Sequence, residues 1–121
     1  MFTYLASPYS HKDPAVRQKR YEDVMQVVSV FVLKNEGVYS PVLHFHPLVV
    51  KHAIPTDYDF WEDLILSMLR RAKDLVIVKI DGWETSVGLR EEYLYAKSLN
   101  MPVFESKSVE DYKAPLSSET W

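Results

Sequence analysis

Two hydrophobic periods alternate along this chain. Residues 2–6, Phe-Thr-Tyr-Leu-Ala, form a short run of aromatic, β-branched and aliphatic types, which predicts a buried first strand. Ser7-Pro8-Tyr9-Ser10-His11-Lys12 breaks that pattern. Asp13 then offers a capping side chain and Pro14 a residue with no amide to lose, the signature of a helix start. Val16, Tyr21, Val24, Val28, Phe31 and Val32 recur at helical spacing, so the helix should run to about residue 35 and end at Glu36-Gly37. Residues 38–42 predict a second short strand, followed by a loop carrying Leu43-His44-Phe45-His46-Pro47. A second helix is expected over residues 58–72, with Trp61, Leu64, Ile65, Met68 and Leu69 on its apolar side. Residues 74–80 form a near-continuous apolar run, as expected for a parallel strand covered on both faces. A turn-rich loop over 81–86, a helix over 87–100 and a strand over 101–104 follow, and the polar tail from 105 to 121 is expected to be partly helical around Val109 to Tyr112.

This β-α-β-α-β-α-β alternation predicts a single α/β domain over residues 1–121, built as an open parallel sheet with helices on both faces. The economical strand order is 2-1-3-4, with a Rossmann- or flavodoxin-like crevice at the carboxyl ends of the first and third strands. That placement assigns chemistry to Ser7-Pro8-Tyr9 and to the 81–86 loop.

Composition narrows the choice. Of 121 residues, 47% are hydrophobic and 26% charged, the balance of a globular domain with its own core. The formal net charge of -3 lacks the basic field that a nucleic-acid polymer requires. With no cysteine, disulfides, thiolate metal sites and thiol catalysis are excluded, and a reducing cytoplasm is the expected compartment. No apolar run is long enough to cross a bilayer, so no membrane partner is expected.

The segment Asp81-Gly-Trp-Glu-Thr-Ser-Val-Gly-Leu-Arg-Glu-Glu-Tyr-Leu-Tyr-Ala96 leaves the strongest strand and enters a helix. Gly88 permits close approach to the backbone, and the free amides at the helix start, with the Ser86 hydroxyl, suit an anion. Glu92 lies one turn beyond Gly88 on the same face and can point into the crevice, whereas Glu91 is rotated by about one hundred degrees. Read on spacing alone, a glutamate here is better explained as a solvated residue favouring the helix dipole. Tyr9, Trp61 and Trp83 could sandwich a flat base, although Trp61 also fits the core and Trp83 a subunit contact. His44 and His46 would share one side of an extended segment, but two ligands alone do not make a metal site. The run Arg17-Gln18-Lys19-Arg20 reads as a solvated helix face, with Arg20 a candidate phosphate ligand near the first loop. No dinucleotide fingerprint, P-loop or nucleophile elbow is present.

Val87-Gly88-Leu89-x-x-Glu92-x-x-Tyr95-Ala96 resembles the glycine–glutamate–alanine motif of nucleoside 2-deoxyribosyltransferases and of the related deoxynucleoside 5′-monophosphate N-glycosidases. Tyr4-Leu5-Ala6-Ser7-Pro8-Tyr9-Ser10 resembles the first strand and sugar- or phosphate-cupping loop of that superfamily. Gly82-Trp83-x-x-Ser86-x-Gly88, with Ser40-Pro41 and His46-Pro47, is similar to a poorly characterised bacterial and phage branch. The resemblance spans roughly residues 3–104. It implies that Glu92 attacks the anomeric carbon, that Ser7, Tyr9, His46, Trp61, Ser86 and Gly88 contact substrate, and that no metal or redox cofactor is required. The Ser86 position carries an aspartate in the transferases and a phosphate-binding serine in the monophosphate enzymes, which favours a 5′-phosphorylated substrate. The superfamily's proton-transfer aspartate falls at Leu66, so Asp63, one turn earlier, is the substitute candidate, although it reads equally as plain helix surface. Hydrolysis and transfer both remain open. The resemblance also implies a homodimer or homotetramer in which a neighbour completes the site. The rival expectation is a non-catalytic nucleotide-binding module on the same fold, and a weaker one is an assembly protein that uses Trp83 and the tail as an interface.

Overall fold

The computed structural model describes residues 1–121. The elements run β1 (Thr3–Ala6), α1 (Pro14–Leu33), β2 (Val38–Tyr39), α2 (Pro41–His52), α3 (Tyr58–Leu69), β3 (Asp74–Val78), a 3-10 turn (Trp83–Thr85), α4 (Val87–Ser98), β4 (Val103–Ser106) and β5 (Ala114–Pro115). They form one α/β sheet in the order β2-β1-β3-β4-β5. The first four strands are parallel, with Tyr4 opposite Tyr39 and Leu75, and β5 joins β4 antiparallel. The 2-1-3-4 order and the Rossmann-like open sheet therefore stand as expected, with an edge strand added from the tail.

Strand alternation divides the core in two. Tyr4, Ala6, Leu75 and Ile77 point to one face, where they meet Leu69, Leu89 and Ala96 of α3 and α4. Leu5, Val76 and Val78 point to the other, against Val24, Val27 and Phe31 of α1 and Val42 of α2. All five residues of β3 are buried, which explains the apolar run from Leu75 to Val78.

Several boundaries differ from the pattern-based reading. Residues 41–52 are helical rather than a strand end and loop. Ser40 caps this helix by accepting from the Leu43 amide at 3.1 Å, and Pro41 occupies its first turn, the same device as Asp13-Pro14. Pro47 sits inside α2, where it forfeits one backbone bond. The α1 helix ends at Leu33, and the left-handed residue that follows is Asn35 at φ 57°, not Gly37. Asn100, at φ 56°, does the same after α4. Val109 to Tyr112 is not helical. The tail instead turns back to form β5, and Leu116 and Trp121 pack on the α3–α4 face of the core. No helix is long and apolar enough to cross a membrane.

Candidate functional site

A cavity of about 430 Å³ opens at the carboxyl ends of β1 and β3. Its wall brings together Ser7 and Tyr9 after β1, Phe45 and His46 of α2, Tyr58 and Trp61 of α3, and Ser86, Gly88 and Glu92 of α4. These are the carboxyl-end loops expected of an open parallel sheet, extended by helix α2.

Glu92 is only 5% exposed. Ser86 caps α4 by accepting from the Leu89 amide at 3.2 Å, which fixes the helix start. Glu92, on the second turn, faces β1, where strand alternation turns Tyr4 toward the same layer. The Tyr4 hydroxyl donates to Glu92 Oε2. Burial pushes the Glu92 carboxyl up to about 8, and the Tyr4 bond opposes that rise without cancelling it. Burial first, and then the neighbouring carboxylate, raises the phenols of Tyr4, Tyr39 and Tyr58. All three thus stay protonated at neutral pH. A single carboxyl ringed by neutral phenols in a cavity wall can donate a proton, accept one, or attack an electrophilic carbon.

The expected substrate residues are assembled unevenly. Ser7 lies at the end of β1, 7% exposed, with its hydroxyl without a protein partner. A buried, unpaired hydroxyl in a cavity wall is available to a ligand. Trp61 lines the cavity while its indole donates to the Pro55 carbonyl at 2.8 Å, so it is both core and wall. Gly88 also lines the wall, but the space above it belongs to Tyr58. A Cβ at Gly88 would stand 3.1 Å from the Tyr58 ring. The small residue therefore admits this ring against the first turn of α4.

Other candidates are turned elsewhere. Asp63 is exposed on α3 and is not part of the cavity wall, whereas Asp57 and Asp59 are. Asp57 caps α3 by accepting from the Phe60 amide at 3.2 Å. His44 and His46 ride on a helix, where residues two apart diverge, so His44 is exposed and His46 buried. No group of three or more His, Asp or Glu side chains is placed to hold a metal ion. Arg20 does not line the cavity. It donates to the Ser10 carbonyl at 2.9 Å and the Tyr9 carbonyl at 3.3 Å, and its guanidinium passes beneath Gly82. It thus braces the two loops that flank the site. Trp83 is not in the wall either, since it packs between Lys79 at 4.7 Å and Trp121 at 5.5 Å.

Tyr4, Tyr58 and Asp59 are the residues that sequence reasoning missed. Tyr4 was hidden in an apolar strand, although a tyrosine on a buried strand needs a hydroxyl partner and so marks one. Tyr58 and Asp59 open α3, a position that reads only as a helix start.

Residues 1–108 match the family described as Domain of unknown function (DUF1937), and the chain belongs to that family. No curated protein matches the chain.

Proposed function

We propose that the cavity binds a nucleoside and that Glu92 cleaves its N-glycosidic bond by nucleophilic attack at C1′. The observation that carries this reading is the buried Glu92 carboxyl, held by Tyr4 in a concave wall that also has a free Ser7 hydroxyl and aromatic faces. The resemblance of the Gly88–Glu92–Ala96 segment to deoxyribosyltransferases supports the same assignment.

Ionised Glu92 attacks C1′, forming a glutamyl–sugar ester as the C1′–N bond breaks and its electron pair passes to the base. The departing base takes up a proton. Asp59 occupies the part of α3 that faces the cavity and replaces Asp63 as the carboxyl able to relay that proton from water. Water, or a second base, then attacks C1′ while giving up a proton to the same relay, and the C1′–O bond of the ester breaks to restore the carboxylate, so that two inversions give net retention. With a carboxyl value of about 8, only about a tenth of Glu92 is ionised at pH 7, and the first step should accelerate into mild alkali.

The electrostatics of the wall bear on the 5′ position. Its acidic side chains are Asp57, Asp59 and the mostly protonated Glu92, with no lysine or arginine. A phosphate at the start of α4 would find the Val87 and Gly88 amides and the Ser86 hydroxyl as donors but no cation, with Asp57 and Asp59 in the same wall. This balance favours an unphosphorylated nucleoside over the monophosphate that Ser86 alone suggests.

The test is a panel of ribo- and deoxyribonucleosides and their 5′-monophosphates incubated with the purified protein, with released base resolved by chromatography. Base release from nucleosides, lost in Glu92→Gln, is expected. Undiminished release by a folded Glu92→Gln protein would remove Glu92 from the chemistry.

A further inference from the structure

His46 is 4% exposed, and both of its ring nitrogens are engaged. Nδ1 lies 2.6 Å from the Tyr9 hydroxyl and Nε2 lies 2.8 Å from Gln18 Oε1. The ring is fixed by stacking on Tyr21, with centroids 4.4 Å apart and planes at 26°. The far end of the Gln18 amide, Nε2, donates to the Glu22 carboxylate at 3.1 Å, one turn along α1.

The direction of every proton in this chain follows from its last member. An ionised carboxylate only accepts, so Gln18 must turn its nitrogen to Glu22 and its oxygen to His46. An amide oxygen in turn needs an N–H, which puts the imidazole proton on Nε2. A neutral ring then has a bare lone pair at Nδ1, and the Tyr9 hydroxyl must spend its hydrogen there. Reversing the order would set the Gln18 oxygen against the Glu22 carboxylate. A doubly protonated ring is opposed by burial and by the nearby Arg17 charge, both of which lower the His46 value.

Tyr9, a residue of the cavity wall, thereby has no hydrogen left to donate, and of its oxygen lone pairs one is shared with the Arg17 guanidinium, which leaves the other for a ligand. It stands beside the α2 end of the wall, with Phe45, Val49 and Trp61. Phe45 and Trp61 pack at 4.8 Å and 41°, making this the flat, apolar end. Glu92, Ser86 and Gly88, all on α4 or its cap, form the end that suits a sugar. An acceptor at the apolar end meets the edge of a base.

We propose that the Glu22–Gln18–His46 chain holds the Tyr9 hydroxyl as a hydrogen-bond acceptor, and that this acceptor selects a base with an exocyclic amino group over one with a carbonyl at the same position. Tyr9 is the binding residue, and His46 is a positioning residue that acts through it. The selection rests on the nucleoside reading above; the polarity of Tyr9 does not.

Two measurements separate those parts. Long-range 15N–1H correlation spectra of the wild-type protein at pH 7.5 report the His46 tautomer directly, its signals being those displaced in Tyr9→Phe. A protonated Nε2 and a bare Nδ1 are expected. A protonated Nδ1, or an imidazolium, would overturn the proposal. Calorimetry with adenosine and inosine, in a Glu92→Gln background that prevents turnover, tests the selection. Adenosine should bind about tenfold more tightly or better, and adding Tyr9→Phe should bring the ratio close to one. A ratio unmoved by Tyr9→Phe, or a preference for inosine, overturns the selection. Failure of both nucleosides to bind, with His46 found protonated at Nε2, upholds the acceptor assignment and removes the nucleoside reading instead.

Discussion

Replacing Glu92 by glutamine should change how the protein's stability depends on pH, before any substrate is added. The carboxyl titrates at about 8 in the folded chain, against an ordinary value of 4.5. Between those values the folded state holds a proton that the unfolded state has released. Stability therefore falls as pH rises through this window and levels off above it. Each unit is worth about 1.4 kcal/mol, so the full fall is on the order of 5 kcal/mol, a large part of a small domain's stability. Glutamine keeps the shape and still accepts from Tyr4, but carries no titrating proton. Urea unfolding of both proteins at pH 5, 7 and 9 provides the assay, and subtracting one series from the other cancels the histidines and surface groups. The expected result is a wild-type midpoint that drops steeply toward pH 9 and a variant midpoint that drops much less, so that Glu92→Gln is the more stable protein at pH 9. Parallel series would refute the reasoning, because they would mean that Glu92 ionises in the folded state as freely as in water.

Three further substitutions probe the frame around that carboxyl. Tyr4→Phe removes the donor that favours ionised Glu92, so the rising limb of the activity–pH profile should move to higher pH; a shift of one unit would cost about tenfold in rate at pH 7, and an unmoved limb would exclude Tyr4 from setting it. Gly82→Ala should destabilise by about 1–3 kcal/mol in thermal or urea unfolding, since Gly82 has φ 93°, a conformation that strains any residue with a Cβ; a change within error would mean that this turn relaxes without cost. Ser40→Ala should cost about 1 kcal/mol by the same assay through loss of the α2 cap, whereas an unchanged midpoint would show that α2 is held by tertiary packing alone.

The sheet was legible because its evidence is repeated. Strand β3 is apolar from Leu75 to Val78, and β1 carries a similar signal, so the two central strands and their crossovers follow from pattern alone. What was not legible lies where two local signals compete. Ser40-Pro41 announces a helix as clearly as Asp13-Pro14 does, yet Pro47, the seventh residue of the segment, argues against one. The helix persists because Val42, His46 and Val49 bury one face, with Val42 in the core against α1. A residue's burial by distant elements cannot be read from its neighbours in the chain. The same limit hid β5, which exists only because β4 offers an edge to pair with.

The site divides along the same line. Ser86, Gly88 and Glu92 belong to one helix start, and helical spacing alone puts Glu92 a turn beyond Gly88. Their partners come from other elements. Tyr4 meets Glu92 across 88 positions of sequence, and His46 meets Tyr9 across 37. No period predicts such pairs; only the sheet order does, by bringing the end of β1 beside β3 and the start of α4. Asp63 illustrates the converse. It lies one helical turn from Leu66, but α3 turns that position to solvent and brings its first turn, with Tyr58 and Asp59, to the cavity. Spacing identifies which residues share a face, and the packing of the whole helix decides which face the cavity receives. The carboxyl chemistry of the site therefore depends less on how many acidic residues α3 carries than on the rotation that Trp61 and Leu69 impose when they enter the core.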